Sequence, residues 1–169
     1  IMQLQYGNPE IKFKYRTITG VGNKIVTPEF LVLDGQQRLT SIYQSTYSNQ
    51  VVATKTDKGK SIKRFYYLDM NKCLDDNEDR LDAVVSVPED RKIKANFDRD
   101  IIMDLSTREL EYQLKMFPMN IIYDNTQLMQ WNFGYMMYHQ NDKDANDLLN
   151  RFQKEVVETI LQYKLPVIT

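Results

Sequence analysis

Residues 30–40 read FLVLDGQQRLT and join an apolar run to a helical pattern. The run Phe30–Leu33 is short and apolar, which is typical of a buried strand. Gly35 then interrupts the run. The helical pattern that follows places four side chains on one side, namely Leu39, Ile42, Tyr43 and Thr46. We therefore expect a buried strand that turns into a helix, with Ser48 and Asn49 ending the helix.

Polar side chains crowd this turn, and their chemistry suits an anion. The first turn of a helix exposes unpaired backbone N–H groups and a partial positive charge, so it attracts phosphate. Gly35 lets a ligand approach the backbone closely, and Arg38 can hold a phosphate or carboxylate through two hydrogen bonds. Gln36 and Gln37 can bind a base or sugar edge or orient a water. Asp34 would repel a bare phosphate, but it can hold Mg²⁺ or accept a proton from water.

The same spacing also fits a helix cap. Asp34 and Gln37 stand three residues apart, so Asp34 can cap the helix while Gln37 reaches back to the cap residue. Arg38 would then be an ordinary surface or salt-bridged arginine. The two interpretations are compatible, because a capped turn still presents Gln36 and Arg38.

On the N-terminal side, Ile11–Thr17 alternates strictly between apolar or small and charged residues, which predicts a half-buried strand. Its charged face carries Lys12, Lys14 and Arg16. These cations suit contact with a phosphate backbone or a nucleotide. A solvated strand face is the commoner reason for such a pattern.

On the C-terminal side, Val51 to Arg64 predicts a hairpin or an exposed loop, and Arg64 to Met70 predicts a strand. The lysines of Lys55–Arg64 beside aromatic residues suit nucleic acid, although aromatic residues in strands are also ordinary core residues. Asp75–Asp82 is an acidic, solvated stretch. Ala83–Val87 predicts another short strand, ended by Pro88.

Helices are expected after about Asp100. Ser106–Glu109 carries a capping-box signature at the start of one helix, which Pro118 stops. Asn125–His139 is a second helix candidate. Asn146–Tyr163 has the strongest helical periodicity.

This order of elements predicts an α+β fold, with an α+β core over residues 1–99 and a helical extension over residues 100–169.

The chain of 169 residues is 42% hydrophobic, enough to build a core, and its formal net charge of -1 excludes bulk electrostatic binding of nucleic acid. Cys73 stands alone, which excludes an intrachain disulfide and favours a reducing compartment. No apolar stretch is long enough to span a bilayer, so we expect a cytoplasmic protein with no membrane partner.

Two reactive residue types have structural roles in this interpretation. Cys73 has no histidine or basic partner nearby in sequence, so we expect it to be structural. His139 lies in a helix rich in Met and aromatic residues, where a packed or surface histidine is expected. The cluster Trp131–Tyr138 is expected to form the core of the helical extension, and its methionines also suit a protein partner.

The string LDGQQRLTS at residues 33–41 resembles the signature of the GmrSD-type restriction family, whose ParB-like domain is common in bacterial anti-phage defence. The surroundings are similar to one branch of that family. They comprise Phe13–Arg16, Ile62–Asp69, and Glu111–Tyr112 followed by Phe117–Pro118. The likeness spans most of the chain.

The resemblance implies a ParB/sulfiredoxin-like core with helical additions and a pocket that binds a nucleoside triphosphate with Mg²⁺ and hydrolyses it. It implies a role in restriction of modified phage DNA. The residues implied in catalysis are Asp34, Gln37 and Arg38, with Asp34 at the metal. It implies that Asp34, Gln36, Gln37 and Arg38 line the pocket. With the residues singled out by the sequence pattern, the candidates for nucleotide binding are Gly35, Gln36, Arg38, Thr40, Lys14 and Arg16.

The chain departs from the family in two ways. The family's upstream segment, which contributes to the same pocket, is missing, so we expect a fragment with parts of the fold outside it. The family is often coupled to an HNH nuclease, and a chain whose single histidine is His139 cannot contain that site. DNA cleavage by that chemistry would need an HNH domain or protein outside this chain. Leu165–Thr169, at the other end, reads as the start of a buried strand.

Three functions therefore stay open. The chain is part of an NTP-hydrolysing restriction component, or a regulatory module that binds nucleotide or DNA without turnover, or an interaction domain in which DGQQR is a helix cap. Phosphate release separates the first two, and the loss of stability without loss of affinity in Asp34→Ala would identify the third.

Overall fold

A computed structural model describes residues 1–7, 13–22, 27–47 and 51–168, and its architecture is α+β, as the sequence predicts. The strands are β1 Met2–Gln5, β2 Phe30–Asp34, β3 Val52–Lys55, β4 Ser61–Asp69, β5 Val84–Pro88, β6 Lys92–Ala95, β7 Asp100–Asp104 and β8 Met116–Pro118. The helices are α1 Gln36–Thr46, α2 Met70–Cys73, α3 Arg108–Leu114, α4 Asn125–Tyr138, α5 Lys143–Phe152 and α6 Glu158–Gln162. A 3₁₀ turn at Met119–Ile121 precedes α4, and a π-helical segment at Gln153–Val157 joins α5 to α6.

The strands form three antiparallel groups. Strand β4 is central to the largest, pairing with β3, β5 and β8. Strands β1 and β2 pair with each other, and so do β6 and β7. A hairpin or an exposed loop was predicted between Val51 and Arg64, and the pairing of β3 with β4 shows the hairpin. Strand β5 confirms the strand predicted before Pro88 to within one residue.

The core lies on both faces of β4, because neighbouring side chains of a strand point to opposite sides. Leu68 joins a cluster with Trp131 and Phe152 from the helices. Tyr67, the preceding residue, joins a second cluster with Val87. The sheet is therefore covered by helices on one face and by a smaller apolar layer on the other.

A single carboxylate connects these parts inside the protein. Glu111 on α3 is fully buried, and its two oxygens accept hydrogen bonds from four side chains. Arg108 Nη1 donates at 2.8 Å, Trp131 Nε1 at 3.0 Å, Tyr67 Oη at 3.1 Å and Arg91 Nη1 at 3.4 Å. Burying a charge is costly unless it is paired and hydrogen-bonded, and Glu111 meets both conditions.

Two strand predictions are wrong in part. Residues 13–17 form no strand, and Phe13 and Tyr15 are exposed; Ile11 and Lys12 lie outside the described residues. Alternation supplies the faces of a strand, but a strand also needs a neighbour to complete its backbone hydrogen bonds. Strand β2 does form, yet Phe30 and Leu33 are exposed instead of buried. An apolar run is buried only where layers cover it, and among the described residues the β1–β2 pair is joined only by the bridge from Ile168.

The C-terminal helices follow their periodicity more closely. Helix α4 confirms the second helix candidate, and the run from Lys143 to Gln162 confirms the strongest one. Two details are wrong. Helix α3 is capped by Thr107, one residue after the start of the predicted capping box, and it ends where Lys115 adopts a left-handed conformation (φ 56°). Pro118 therefore lies in β8 and stops no helix.

Further differences concern the edges of the helical part. Strand β7 stands where helix was expected after about Asp100, because it pairs with β6 in a hairpin. Residues 165–168 are exposed, not buried, although Ile168 makes a parallel bridge to Met2. The expected end of α1 at Ser48 and Asn49 lies outside the described residues; α1 ends at Thr46.

No helix in the described ranges has both the length and the apolar character needed to cross a bilayer.

Candidate functional site

The turn between β2 and α1 contradicts the cap hypothesis. Asp34 is the last residue of β2, and the N-cap of α1 is Gly35, in a left-handed conformation (φ 90°) with no side chain to cap the helix. By contrast, side chains cap the three other helices of seven residues or more within the described residues, namely Thr107 for α3, Asp124 for α4 and Asp142 for α5. The first N–H groups of α1 therefore remain available to a ligand.

Arg38 and Asp34 form an ion pair across this turn. Arg38 Nη2 donates to Asp34 Oδ2 at 3.1 Å, and both side chains are about two-thirds exposed, at 68% and 72%. The same Nη2 atom lies 3.5 Å from the position that a Cβ on Gly35 would occupy. The guanidinium thus folds back over the start of the helix. An exposed pair at this spacing is worth about 0.3–0.5 kcal/mol, so a competing anion can displace it.

The other polar side chains of the motif differ in whether they make hydrogen bonds within the described part of the protein. Gln36 Nε2 donates to the Val32 carbonyl at 3.0 Å, and Thr40 Oγ1 donates to the Gln36 carbonyl at 2.7 Å. The side chain of Gln37 is exposed and makes no hydrogen bond with the described part of the chain. Of these three side chains, Gln37 is the one free to meet a ligand without first breaking an internal contact.

Lys14 and Arg16 lie away from this turn. Their segment contacts Tyr6, since Tyr15 packs edge-on against the Tyr6 ring with centroids 5.4 Å apart. The Tyr6 N–H donates to the carbonyl of Glu29, which precedes β2 at the end opposite Asp34. The segment then reaches the C-terminal half of α1, where Gln44 Nε2 donates to the Thr19 carbonyl at 3.0 Å. No contact among the described residues joins Lys14 or Arg16 to the Asp34–Arg38 pair.

The remaining candidates have structural surroundings. Burial raises the pKa of the Cys73 thiol to about 11, which keeps it protonated and unreactive near neutrality. His139 Nε2 lies 3.1 Å from the Tyr112 carbonyl, and its ring packs on Tyr135. In the basic hairpin, Lys63 is paired with Glu89 at 2.8 Å.

Surface cavities also lie elsewhere among the described residues. One, of about 330 Å³, is bordered by Arg64, Lys92 and Lys94, of which both lysines are paired with aspartates. The other, of about 300 Å³, lies between the end of α1 and the start of α4. Its lining residues are Tyr47, Asn120, Tyr123, Asp124 and Asn125. The spacing of Asp124 and Gln127 is typical of a helix start, but no sequence motif marks the exposed tyrosines beside this second cavity.

Comparison with known proteins identifies no characterised relative. No protein-family model matches the chain, and no solved structure matches it. An uncharacterized protein of Methanocaldococcus jannaschii is 28% identical over 145 residues, which cover 83% of this chain and 21% of that protein. The chain therefore spans about a fifth of the length of the curated relative that it matches, and no activity follows from the likeness.

Proposed function

We propose that the start of α1 binds the phosphate groups of a nucleoside triphosphate, and that the chain is the NTP-binding, NTP-hydrolysing part of a cytoplasmic restriction protein acting on modified DNA. The resemblance of residues 33–41 to the GmrSD-type signature supports the restriction role and a ParB/sulfiredoxin-like core for the α+β fold. An HNH nuclease outside this chain would then cut the DNA.

The observation that carries the proposal is the uncapped start of α1. Free N–H groups and the helix dipole favour an anion at this position. Gly35 adopts the left-handed conformation (φ 90°) that begins the helix without a capping side chain. Arg38 already lies over the turn, 3.1 Å from a carboxylate oxygen of Asp34. A phosphate oxygen can take the place of that carboxylate oxygen with little other rearrangement.

A change of partner by Arg38, from Asp34 to a phosphate, would also make room for Mg²⁺ at this turn. Arg38 turns from Asp34 to the phosphate, which releases the Asp34 carboxylate. Mg²⁺ is usually held by one or two carboxylates together with substrate phosphates and waters, so one freed carboxylate at the turn meets the minimum. The metal would neutralise charge on the phosphates when bound. Gln37, exposed on the same turn, is then placed to orient a water.

The test is titration of the intact protein with ATP and GTP, with and without Mg²⁺, by isothermal calorimetry. Arg38→Ala is expected to weaken binding about tenfold or more, since hydrogen bonds to charged groups contribute roughly 1.5–3 kcal/mol. Arg151→Ala is the matched control, because Arg151 is an exposed arginine in an i,i+4 pair with Glu155. Equal affinities of the two variants would remove the motif from the binding site.

The second candidate is a module that binds nucleotide or DNA without hydrolysing it. One observation favours it: the single carboxylate at the turn is already neutralised by Arg38. If the pair stays closed, Asp34 neither holds Mg²⁺ nor activates a water. Release of inorganic phosphate by the intact protein distinguishes the candidates, and binding without release at saturating nucleotide would select the second.

A further inference from the structure

We propose that the cavity between the end of α1 and the start of α4 binds an adenine ring. This cavity of about 300 Å³ is separate from the phosphate site, because α1 has 11 residues and a helix of that length spans about 16 Å. The proposal therefore stands or fails independently of the function proposed for the Asp34–Arg38 turn.

Tyrosine rings form the apolar part of the cavity. Tyr47 and Tyr123 are in contact, with ring centroids 6.3 Å apart and planes tilted by 48°. Both side chains are nevertheless exposed, at 61% and 42%. Tyr43 extends the row along α1, with its centroid 5.5 Å from that of Tyr47. The contact between Tyr47 and Tyr123 leaves no room for a ring between them, so a flat ligand stacks on an outer face.

Two free amides supply the polar part. Asn120 and Asn125 line the same cavity, and neither amide makes a hydrogen bond with any described residue. An Asn amide presents a donor and an acceptor side by side, which matches the N6 donor and N7 acceptor of adenine. Aromatic stacking combined with an amide that reads a base edge is the usual way proteins bind an unpaired base.

The charges around the cavity disfavour phosphate as the main ligand. No lysine or arginine lines it within the described residues, and Asp124 adds a carboxylate. Hydrogen bonds from the Gln127 N–H and side chain hold the pKa of Asp124 below its usual range, so the carboxylate stays ionised. A neutral base is therefore favoured over its phosphate. The base comes either from a free nucleoside or from a single strand.

Titration of the intact protein with adenosine, guanosine, cytidine and thymidine tests the proposal, with a short single-stranded oligo(dA) as the second source of the base. Adenosine is expected to bind best. Tyr47→Ala should weaken adenosine binding about tenfold, the effect typical of losing one stacking platform. Asn125→Ala, a surface change at the first position of α4, should reduce the preference for adenosine over the other nucleosides.

Tyr163→Ala is the matched control, because Tyr163 is 65% exposed but lies at the end of α6. Tighter binding of oligo(dA) than of adenosine would identify a strand as the source, and equal binding per base would identify a free nucleoside. The proposal is overturned if adenosine does not bind at millimolar concentration. It is also overturned if Tyr163→Ala matches Tyr47→Ala, or if inorganic phosphate alone displaces adenosine.

Discussion

The indole nitrogen of Trp131 donates to Oε2 of Glu111 at 3.0 Å, joining α4 to α3 at a point where both side chains are buried. Oε1 of the same carboxylate accepts from Tyr67 of the central strand, 44 residues earlier. Three elements that are distant in sequence thus meet at one carboxylate, and the relation between sheet and helices depends on it.

Removal of the Glu111 carboxylate should strongly destabilise the folded protein. Glu111→Ala leaves the Tyr67 hydroxyl and Trp131 indole without their acceptor, and it leaves Arg91 and Arg108 without their counter-charge. We expect a loss of about 3–5 kcal/mol in the free energy of unfolding, measured by urea denaturation. Gln113→Ala, an exposed change on the same helix, should change it by less than about 0.5 kcal/mol. Similar small losses in both variants would contradict the role assigned to Glu111.

Gly134 is expected to resist replacement despite its position inside α4. A Cβ there would overlap the Tyr112 hydroxyl and lie 2.9 Å from Tyr112 Cζ. The Tyr112 ring is held against Trp131 and Tyr135, so it cannot move aside cheaply. Gly134→Ala should cost about 1–3 kcal/mol, outweighing the better helix propensity of Ala. Adding Tyr112→Phe should recover part of the loss in thermal denaturation; a plain gain from Gly134→Ala would refute the packing argument.

Alkaline pH should destabilise the fold through Tyr135. Its hydroxyl is buried with no hydrogen-bond partner among the described residues, and burial raises its pKa to about 12. The unfolded chain releases this proton near pH 10, whereas the folded protein retains it, so stability falls between about pH 10 and 12. Burial shifts the pKa values of Tyr67 and Cys73 in the same direction.

Tyr135→Phe isolates that contribution. At pH 7 we expect stability to be unchanged or raised by up to about 1 kcal/mol, because the variant removes a polar group that is buried without a partner. Above pH 10 its urea midpoint should fall less steeply than that of the parent protein. Parallel pH profiles would show that Tyr135 does not contribute to the alkaline loss.

Position 35 is expected to require glycine, because a side chain there would be strained. Its φ of 90° is unfavourable for other residues, and a Cβ would lie 3.2 Å from Ile1 Cγ1. Gly35→Ala should destabilise the protein by about 1–2 kcal/mol, measured by urea denaturation. Gly22→Ala is the matched control, since a Cβ at Gly22 would meet no described residue within 4 Å. A larger loss at Gly22 than at Gly35 would rule out strain at the start of α1.

Asp34 should oppose phosphate when no metal is added. In the presence of a chelator, Asp34→Asn is expected to bind NTP about threefold to fivefold more tightly, since exposed charges contribute up to about 1 kcal/mol. With Mg²⁺ the same variant should release less inorganic phosphate than the parent protein. Calorimetry and a phosphate-release assay give the two readings. Weaker binding without metal would mean that Asp34 supports the site instead of repelling the ligand.

Local sequence patterns predicted the elements that depend on contacts between residues close in the sequence. The β3–β4 hairpin and helix α4 agree with the sequence because their hydrogen bonds close between near neighbours. The strand predicted over Ile11–Thr17 was wrong at residues 13–17, because alternation cannot supply a pairing strand. The β6–β7 hairpin was missed, although Lys92–Ala95 alternates charged and apolar residues over its four positions.

The candidate site was likewise predicted from the sequence only in part. The sequence identified Gly35 and Arg38 on one turn, because residues one helical turn apart are neighbours in any helix. Whether the start of α1 carries a cap, whether Arg38 folds over it and which tyrosines meet at the far end of α1 depended on backbone conformation and on contacts across the chain. Sequence by itself determined the turn from β2 to α1, the β3–β4 hairpin and helix α4. The tertiary structure decided which of those faces are covered, because burial, the Glu111 hydrogen bonds and the cavity at Tyr47 all require residues that only folding brings together.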